Sequence, residues 1–260
     1  PNQFINAGVS EQNIISAAAG MASAGKKVFV YSIATFITLR CLEQIKLDVG
    51  VMNLPVNIIG VGASFSYDVA GPSHHATEDI SILRSINNLE IFSPSDNITT
   101  KNLLKLILKS KKPSYVRLDR ENLGNFKNKV IKKTGFNVLG KKSKILLITN
   151  GKIAHIALDI QKDIKKFQII DLYKIKPLNK KLLVKEIKKY KKVIVAEENF
   201  IDGGIGSSIS ELVADYNINI KLIRIGIKEK NLYNYNPRSE TLKLNKLDRN
   251  SLKNLILKNL

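Results

Sequence analysis

Short apolar runs alternate with amphipathic stretches along almost the whole of the 260-residue chain. A parallel sheet covered by helices satisfies that rhythm, and few other folds do. The first series predicts strands at Ile5–Val9, Lys27–Ile33, Val56–Gly62, Glu90–Ser93 and Ser114–Arg120, with helices at Glu11–Ala24, Phe36–Asp48, Thr77–Ile86 and Ile98–Lys109. The stretch from Asn125 to Lys144 is rich in Lys, Asn and Gly with weak periodicity, after which the rhythm starts afresh. The second series predicts strands at Ile145–Thr149, Gln168–Leu172, Lys192–Ala196 and Ile218–Ile225. Helices are expected at Ile153–Asp163, Lys180–Tyr190 and Gly206–Asp215, with one or two closing helices over Ser239–Leu260. The expected architecture is therefore α/β in two domains, 1–125 and 144–260, joined by a linker at 126–143. Pro1 in place of Met, and a strand-like stretch almost at once, predict that an opening strand and helix belong in front of residue 1.

Composition narrows the classes of function. No apolar run approaches the ~18 residues that crossing a bilayer needs, and the single cysteine, Cys41, excludes an internal disulfide. With no signal-peptide order at the N-terminus, a cytoplasmic location is expected. The net charge of +20 is uneven: residues 1–100 carry 5 basic and 8 acidic side chains, and all of the excess lies beyond residue 100. Such a field could hold a nucleic acid, so a basic non-catalytic binding protein is one reading. A solvated lysine-rich surface explains it more simply, since no nucleic-acid-binding motif and few interleaved aromatics accompany the charge.

Several familiar chemistries find no foothold. Gly60-Val61-Gly62 and Gly203-Gly204-Ile205-Gly206 both miss the third glycine of a dinucleotide loop, and no phosphate-loop or nucleophile-elbow motif occurs. Cys41 reads as a small buried hydrophobe in a helix, and His155 as a packing residue. The three histidines, His74, His75 and His155, do not have metal-ligand spacing, so no metal ligand is assigned to this chain.

What remains is a set of polar residues after strand ends, where open α/β sheets hold ligands. Gly8-Val9-Ser10-Glu11-Gln12-Asn13 opens a helix; alone it is only an N-cap serine and a first-turn acid. Gly71-Pro72-Ser73-His74-His75 follows a second strand, and Arg117-Leu118-Asp119-Arg120-Glu121-Asn122-Leu123 ends a third.

Taken together, these runs resemble the transketolase family. The stretch FINAGVSEQNIISAAAGMASAGKKVFVYSIATFITLR, then GPSHHATEDI and RLDRENL, resembles its pyrimidine-binding domain, as also found in the related deoxyxylulose-phosphate synthases. IDLYKIKPLNKKLL and VIVAEENFIDGGIGSSISELVAD resemble its C-terminal domain. The resemblance implies thiamine-diphosphate chemistry, in which the thiazolium carbanion attacks a ketose carbonyl and a two-carbon ketol unit passes to an aldose. It also implies a role for single residues. Glu11 falls on the glutamate that hydrogen-bonds the aminopyrimidine, and Phe36 on the aromatic that stacks on it, with Tyr31 a weaker cofactor contact. His74 falls on the histidine near the reacting carbonyl and Arg120 on the arginine that grips the sugar phosphate, with Arg40 and His75 as further substrate contacts. On the residues alone, the plainer alternatives are core packing for Phe36 and a surface ion pair for Arg120.

The departures carry information too. An aspartate often found four residues before the first histidine is replaced by Ala70, with Asp68 two residues earlier. The Gly-Asp-Gly run that holds the diphosphate and Mg2+ in the family is absent. The resemblance therefore implies the C-terminal subunit of a split transketolase. A separate N-terminal subunit would supply the diphosphate and Mg2+ ligands, the pair would associate as a heterotetramer, and neither membrane nor nucleic acid would be needed. The β subunit of a 2-oxo-acid dehydrogenase and a deoxyxylulose-phosphate-synthase-like enzyme share this layout and stand as alternatives.

Overall fold

A computed structural model describes residues 3–127, 130–132, 134–228 and 235–260. The first sheet collects β1 (Val28–Ile33), β2 (Val56–Val61), β3 (Glu90–Phe92) and β4 (Ser114–Leu118) in the order β1-β2-β4-β3, all parallel. α1 (Glu11–Ser23) precedes β1, and between the strands run α2 (Ala34–Thr38), α3 (Leu42–Gln44), α4 (Asp79–Leu83) and α5 (Asn97–Lys109). The second sheet has the order β11-β10-β7-β8-β6-β5. It comprises β5 (Val130–Lys132), β6 (Asn137–Leu139), β7 (Ile145–Thr149), β8 (Phe167–Asp171), β10 (Lys192–Phe200) and β11 (Lys221–Ile227). Its layer of helices is α6 (Gly151–Asp163), α7 (Lys180–Ile187) and α8 (Ile205–Asp215), and the chain closes with α9 (Arg238–Leu244) and α10 (Arg249–Asn259). The sequence-based α/β reading and its two parallel-dominated sheets are what the chain adopts.

β7 and the first half of β10, central in the second sheet, are nearly continuous apolar runs because both faces are covered. Ile145, Leu146, Leu147 and Ile148 are all fully buried, as are Val193, Ile194 and Val195. One apolar core runs through both halves, from Ile15, Ile37 and Ile58 to Leu146, Ile170 and Leu183. The halves are also tied by a strand. β9 (Lys174–Lys176) leaves the second half of the sequence and pairs antiparallel with β3 in the first sheet. Lys174-Ile175-Lys176 carries one apolar residue between two lysines, too short a pattern to read as a strand. Its lysines are nevertheless committed, Lys174 to Glu90 at 2.7 Å and Lys176 to the carbonyl of Arg84 at 2.8 Å.

Several elements differ from the sequence reading. Ile5–Val9 is not a strand: the side chain of Asn6 accepts from the Gly8 N–H at 3.0 Å, and Gly8 turns at φ +71°, which bends the chain before it can pair. The helix expected over Phe36–Asp48 breaks at Arg40-Cys41 into α2 and α3 and then widens into a π-helical turn at Ile45–Val51. Gly50 in that turn lies so close to Ile86 and Asn87 that a Cβ would fall 2.7 Å from the Ile86 side chain. The expected helix at Thr77–Ile86 shortens to α4. Within the expected linker, β5 and β6 form the antiparallel edge of the second sheet. Residues 128, 129 and 133 of that linker lie outside the described residues.

Candidate active site

Parallel strands put their carboxyl ends on one side of the sheet, and the segments that follow β1, β2 and β4 converge there. Glu11 opens α1 and is 6% exposed. Ser10 stands at the N-cap position, but its hydroxyl donates to the carbonyl of Ala7 at 2.8 Å instead of capping the helix. The Glu11 carboxylate accepts from Arg40 Nη1 at 2.7 Å and from Ser32 Oγ at 3.4 Å. Burial pushes the carboxyl up, but its own backbone N–H and the hydrogen bond and charge of Arg40 outweigh that, holding it below the ordinary glutamate range.

From Glu11 the side chains form an unbroken row. The Arg40 guanidinium lies over the Phe36 ring at 4.7 Å. Phe36 meets His74 edge to face with centroids 5.1 Å apart, and His74 meets Tyr67 at 5.7 Å. Arg120 then lies over the other end, 5.3 Å from the Tyr67 ring centre. Ser73 Oγ sits 3.0 Å from His74 Nδ1 and fixes the ring's direction. Arg120 is exposed and enters no ion pair among the described residues, because its neighbours Asp119 and Glu121 are taken by Arg238 and Lys152.

The loop that carries Tyr67 and His74 is held from beneath. Its seat is Arg117 on β4, which donates to Asp79 at 2.7 Å, Ser64 Oγ at 2.7 Å and the Ala76 carbonyl at 2.8 Å. Tyr67 packs on Gly62, whose φ of +102° suits glycine and where a Cβ would stand 2.1 Å from the tyrosine ring. Asp68, two residues before Ala70, accepts from the Arg238 N–H at 2.5 Å and so fastens α9 to this loop.

Two sequence-predicted residues lie away from the row. Tyr31 is 69% exposed and lines a groove with Phe29, Ile14 and Met21, because neighbouring residues of a strand face opposite ways and Ser32 is the one that meets Glu11. His75 is buried against Phe65 with centroids 5.0 Å apart, and its Nε2 donates to the Asp68 carbonyl at 2.8 Å. Burial holds its imidazole below the usual histidine range, so it packs the loop from inside. Tyr67 and Ser32 were not singled out from the sequence. Period-2 alternation along β1 was the signal for Ser32, whereas nothing in the sequence marks Tyr67.

Residues set aside on sequence grounds also find their reasons. Cys41 is fully buried, and burial with the nearby Glu11 charge pushes its thiol up to about 11. His155 leans on the Phe126 ring and donates to the Ser95 carbonyl at 2.6 Å. The Gly203–Gly206 run makes room for a carboxylate: Glu197 accepts from the N–H groups of Ile205 and Gly206 at 2.7 and 2.8 Å, and a Cβ on Gly204 would stand 2.0 Å from it. Among the described residues, no three His, Cys, Asp or Glu side chains gather as a metal site.

The fold and site define an α/β protein of two linked domains, with a buried glutamate and an aromatic ring at the strand ends of the first. Residues 1–125 match the family "Transketolase, pyrimidine binding domain" and residues 135–251 match "Transketolase, C-terminal domain". The chain belongs to the transketolase family. It is 30% identical over 264 residues to one of the subunits of the apulose-4-phosphate transketolase of Actinobacillus succinogenes, covering 99% of this chain and 85% of that protein. It is 33% identical over 237 residues to a putative transketolase C-terminal section of Methanocaldococcus jannaschii, covering 88% of this chain and 74% of that one. A solved split-gene transketolase described as an inactive β4 tetramer superposes with a TM-score of 0.88 at 26% identity, over 99% of this chain and 84% of that one. Family membership implies thiamine diphosphate as the cofactor.

The residues present fit the pyrimidine end of that cofactor. Glu11 offers a buried carboxylate whose oxygens accept N–H and O–H donors, and beside it the half-buried Phe36 ring has a face that a planar cation already covers.

Proposed function

We propose that this chain is the C-terminal subunit of a split transketolase. It would transfer a two-carbon ketol unit from a ketose, or its phosphate, to an aldose, or its phosphate, with thiamine diphosphate at the interface with an N-terminal subunit. That partner supplies the diphosphate and Mg2+ ligands, and the two chains assemble as a heterotetramer. The observation that carries the reading is the continuous row from Glu11 through Phe36 and His74 to Arg120. In this reading Glu11 at one end would exchange protons, and Arg120 at the other, in no ion pair among the described residues, would hold the phosphate.

Thiamine diphosphate held by Glu11 and Phe36 would supply the carbanion chemistry by which a bond between two sugar carbons can break. Glu11 would exchange a proton with the aminopyrimidine nitrogen from a site sheltered from water. Phe36 gives the ring an apolar face. His74, directed by Ser73 and boxed between Phe36 and Tyr67, meets the polar atoms at the reacting carbonyl. Arg120 takes the phosphate, a task suited to a permanently charged fork of N–H donors.

A second reading has specific support. A 1-deoxy-D-xylulose-5-phosphate synthase of Clostridium tetani is 31% identical over 237 residues, although this chain spans only 38% of that protein. The test mixes this chain with its N-terminal partner, thiamine diphosphate and Mg2+, and offers either a ketose phosphate with an aldose or pyruvate with glyceraldehyde 3-phosphate. Ketol transfer that needs both chains supports the split transketolase. Consumption of pyruvate with no ketol transfer supports the synthase reading instead.

A further inference from the structure

We propose that the Arg40 guanidinium is an internal stand-in for the aminopyrimidine ring, resting on the same two groups, Glu11 and Phe36, and that the cofactor enters by displacing it. The inference rests on the function proposed above and assigns Arg40 a positioning role in place of substrate contact.

The geometry points there for three reasons. A guanidinium and an aminopyrimidine share a chemistry: both are planar, and both present N–H donors in the plane of the ring or fork. Arg40 uses both features at once, donating from Nη1 to Glu11 Oε2 at 2.7 Å while its central carbon stands 4.7 Å from the centre of the Phe36 ring. Few other side chains could satisfy a carboxylate and a phenyl face together. The exposures then decide which partner moves. The Glu11 side chain is 7% exposed and that of Arg40 is 46% exposed, so Arg40 can swing into solvent while Glu11 stays in place. Arg40 also sits on the non-helical turn between α2 and α3, where the backbone is not part of a helix.

Two consequences follow. Before the cofactor arrives, the buried carboxylate has a counter-ion and the phenyl face is covered, so the half-site is stable in the separate chain. Cofactor binding then works against a contact of about the strength of a half-exposed ion pair plus a cation–π contact. Together these reduce affinity roughly 5- to 20-fold.

The test is calorimetric titration of thiamine diphosphate, and separately of thiamine, into the complex of this chain with its N-terminal partner. Wild type is compared with Arg40→Gln and Arg40→Lys. The expected result is tighter binding of both molecules by Arg40→Gln, roughly 5- to 20-fold and by the same factor for each. Arg40→Lys, which keeps the charge without the planar fork, should show part of the gain. Equal or weaker binding by Arg40→Gln overturns the proposal, as does unchanged cofactor affinity with a raised KM for the sugar phosphate, which would make Arg40 a substrate ligand. Failure of wild type to bind thiamine diphosphate beside its partner would instead overturn the proposed function.

Discussion

Arg117 is the residue whose loss should be felt most strongly away from the row itself. It is 4% exposed, and the Asp79 it pairs with is 1% exposed. Asp79 Oδ2 accepts from Arg117 Nε at 2.7 Å and from Tyr115 OH at 2.7 Å, while its Oδ1 has no hydrogen-bond partner among the described residues. Arg117→Met keeps the apolar stem and removes the cation, leaving a buried carboxylate with one hydroxyl donor. Breaking a buried pair from one side costs about 3–5 kcal/mol, mostly because the remaining charge is uncompensated. The lost bonds to Ser64 Oγ and the Ala76 carbonyl fall within that figure, since the stranded charge dominates. Urea unfolding followed by far-ultraviolet circular dichroism gives the loss directly. Repeating it in an Asp79→Asn background isolates the charge: there, Arg117→Met should cost about 2 kcal/mol less. A loss below about 1 kcal/mol, or the same loss in both backgrounds, would refute the account of Arg117 as the counter-ion of this seat.

Further expectations concern pH, substrate grip and packing. Burial pushes Asp171 up to about 7 despite hydrogen bonds from Ser95 and Asn137, so its protonated form favours the fold. That contribution is complete below the ordinary aspartate range and is lost as pH rises through about 7. Asp171→Asn should therefore flatten the fall in melting temperature between pH 5 and 8, and an unchanged pH profile would contradict it. Arg120→Ala should raise KM for phosphorylated substrates about 10- to 100-fold, the worth of a charge-assisted hydrogen bond, and leave unphosphorylated ones little changed. An equal effect on both in steady-state kinetics would remove Arg120 from the phosphate. Gly62→Ala strains a φ of +102° and drives a methyl into Tyr67, so a stability loss of about 1–3 kcal/mol is expected in the same urea assay. A neutral outcome would mean that the loop bearing Tyr67 is not held as described.

The sequence was most legible where a pattern is enforced on both faces of an element. The strands at Ile145–Thr149 and Lys192–Ala196 are flanked by helices and read as apolar runs, whereas the polar extension of the latter to Phe200 was not read. It was least legible where pairing is set by a distant strand. β9 has a single apolar residue and exists because β3 offers an open edge, and β5 and β6 look like a lysine-rich connector until β8 aligns Asn137 with Asp171. Ile5–Val9 has strand composition, but a local turn at Asn6–Gly8 prevails over propensity. At the site, Glu11, Phe36, His74 and Arg120 were accessible through ordered motifs and meet in one row. Tyr31 faces away from the row, and the side chain of β1 that meets Glu11 is that of Ser32. Tyr67 was invisible because its position depends on an absence, the missing side chain of Gly62, which only the folded loop reveals.

The most direct test of the central claim is ketol transfer by the two chains together, with thiamine diphosphate and Mg2+, comparing wild type with Glu11→Ala. The account predicts activity that needs both chains and falls about 100-fold or more in the variant, the usual contribution of a positioned proton-transfer group. Activity that survives Glu11→Ala undiminished would contradict it.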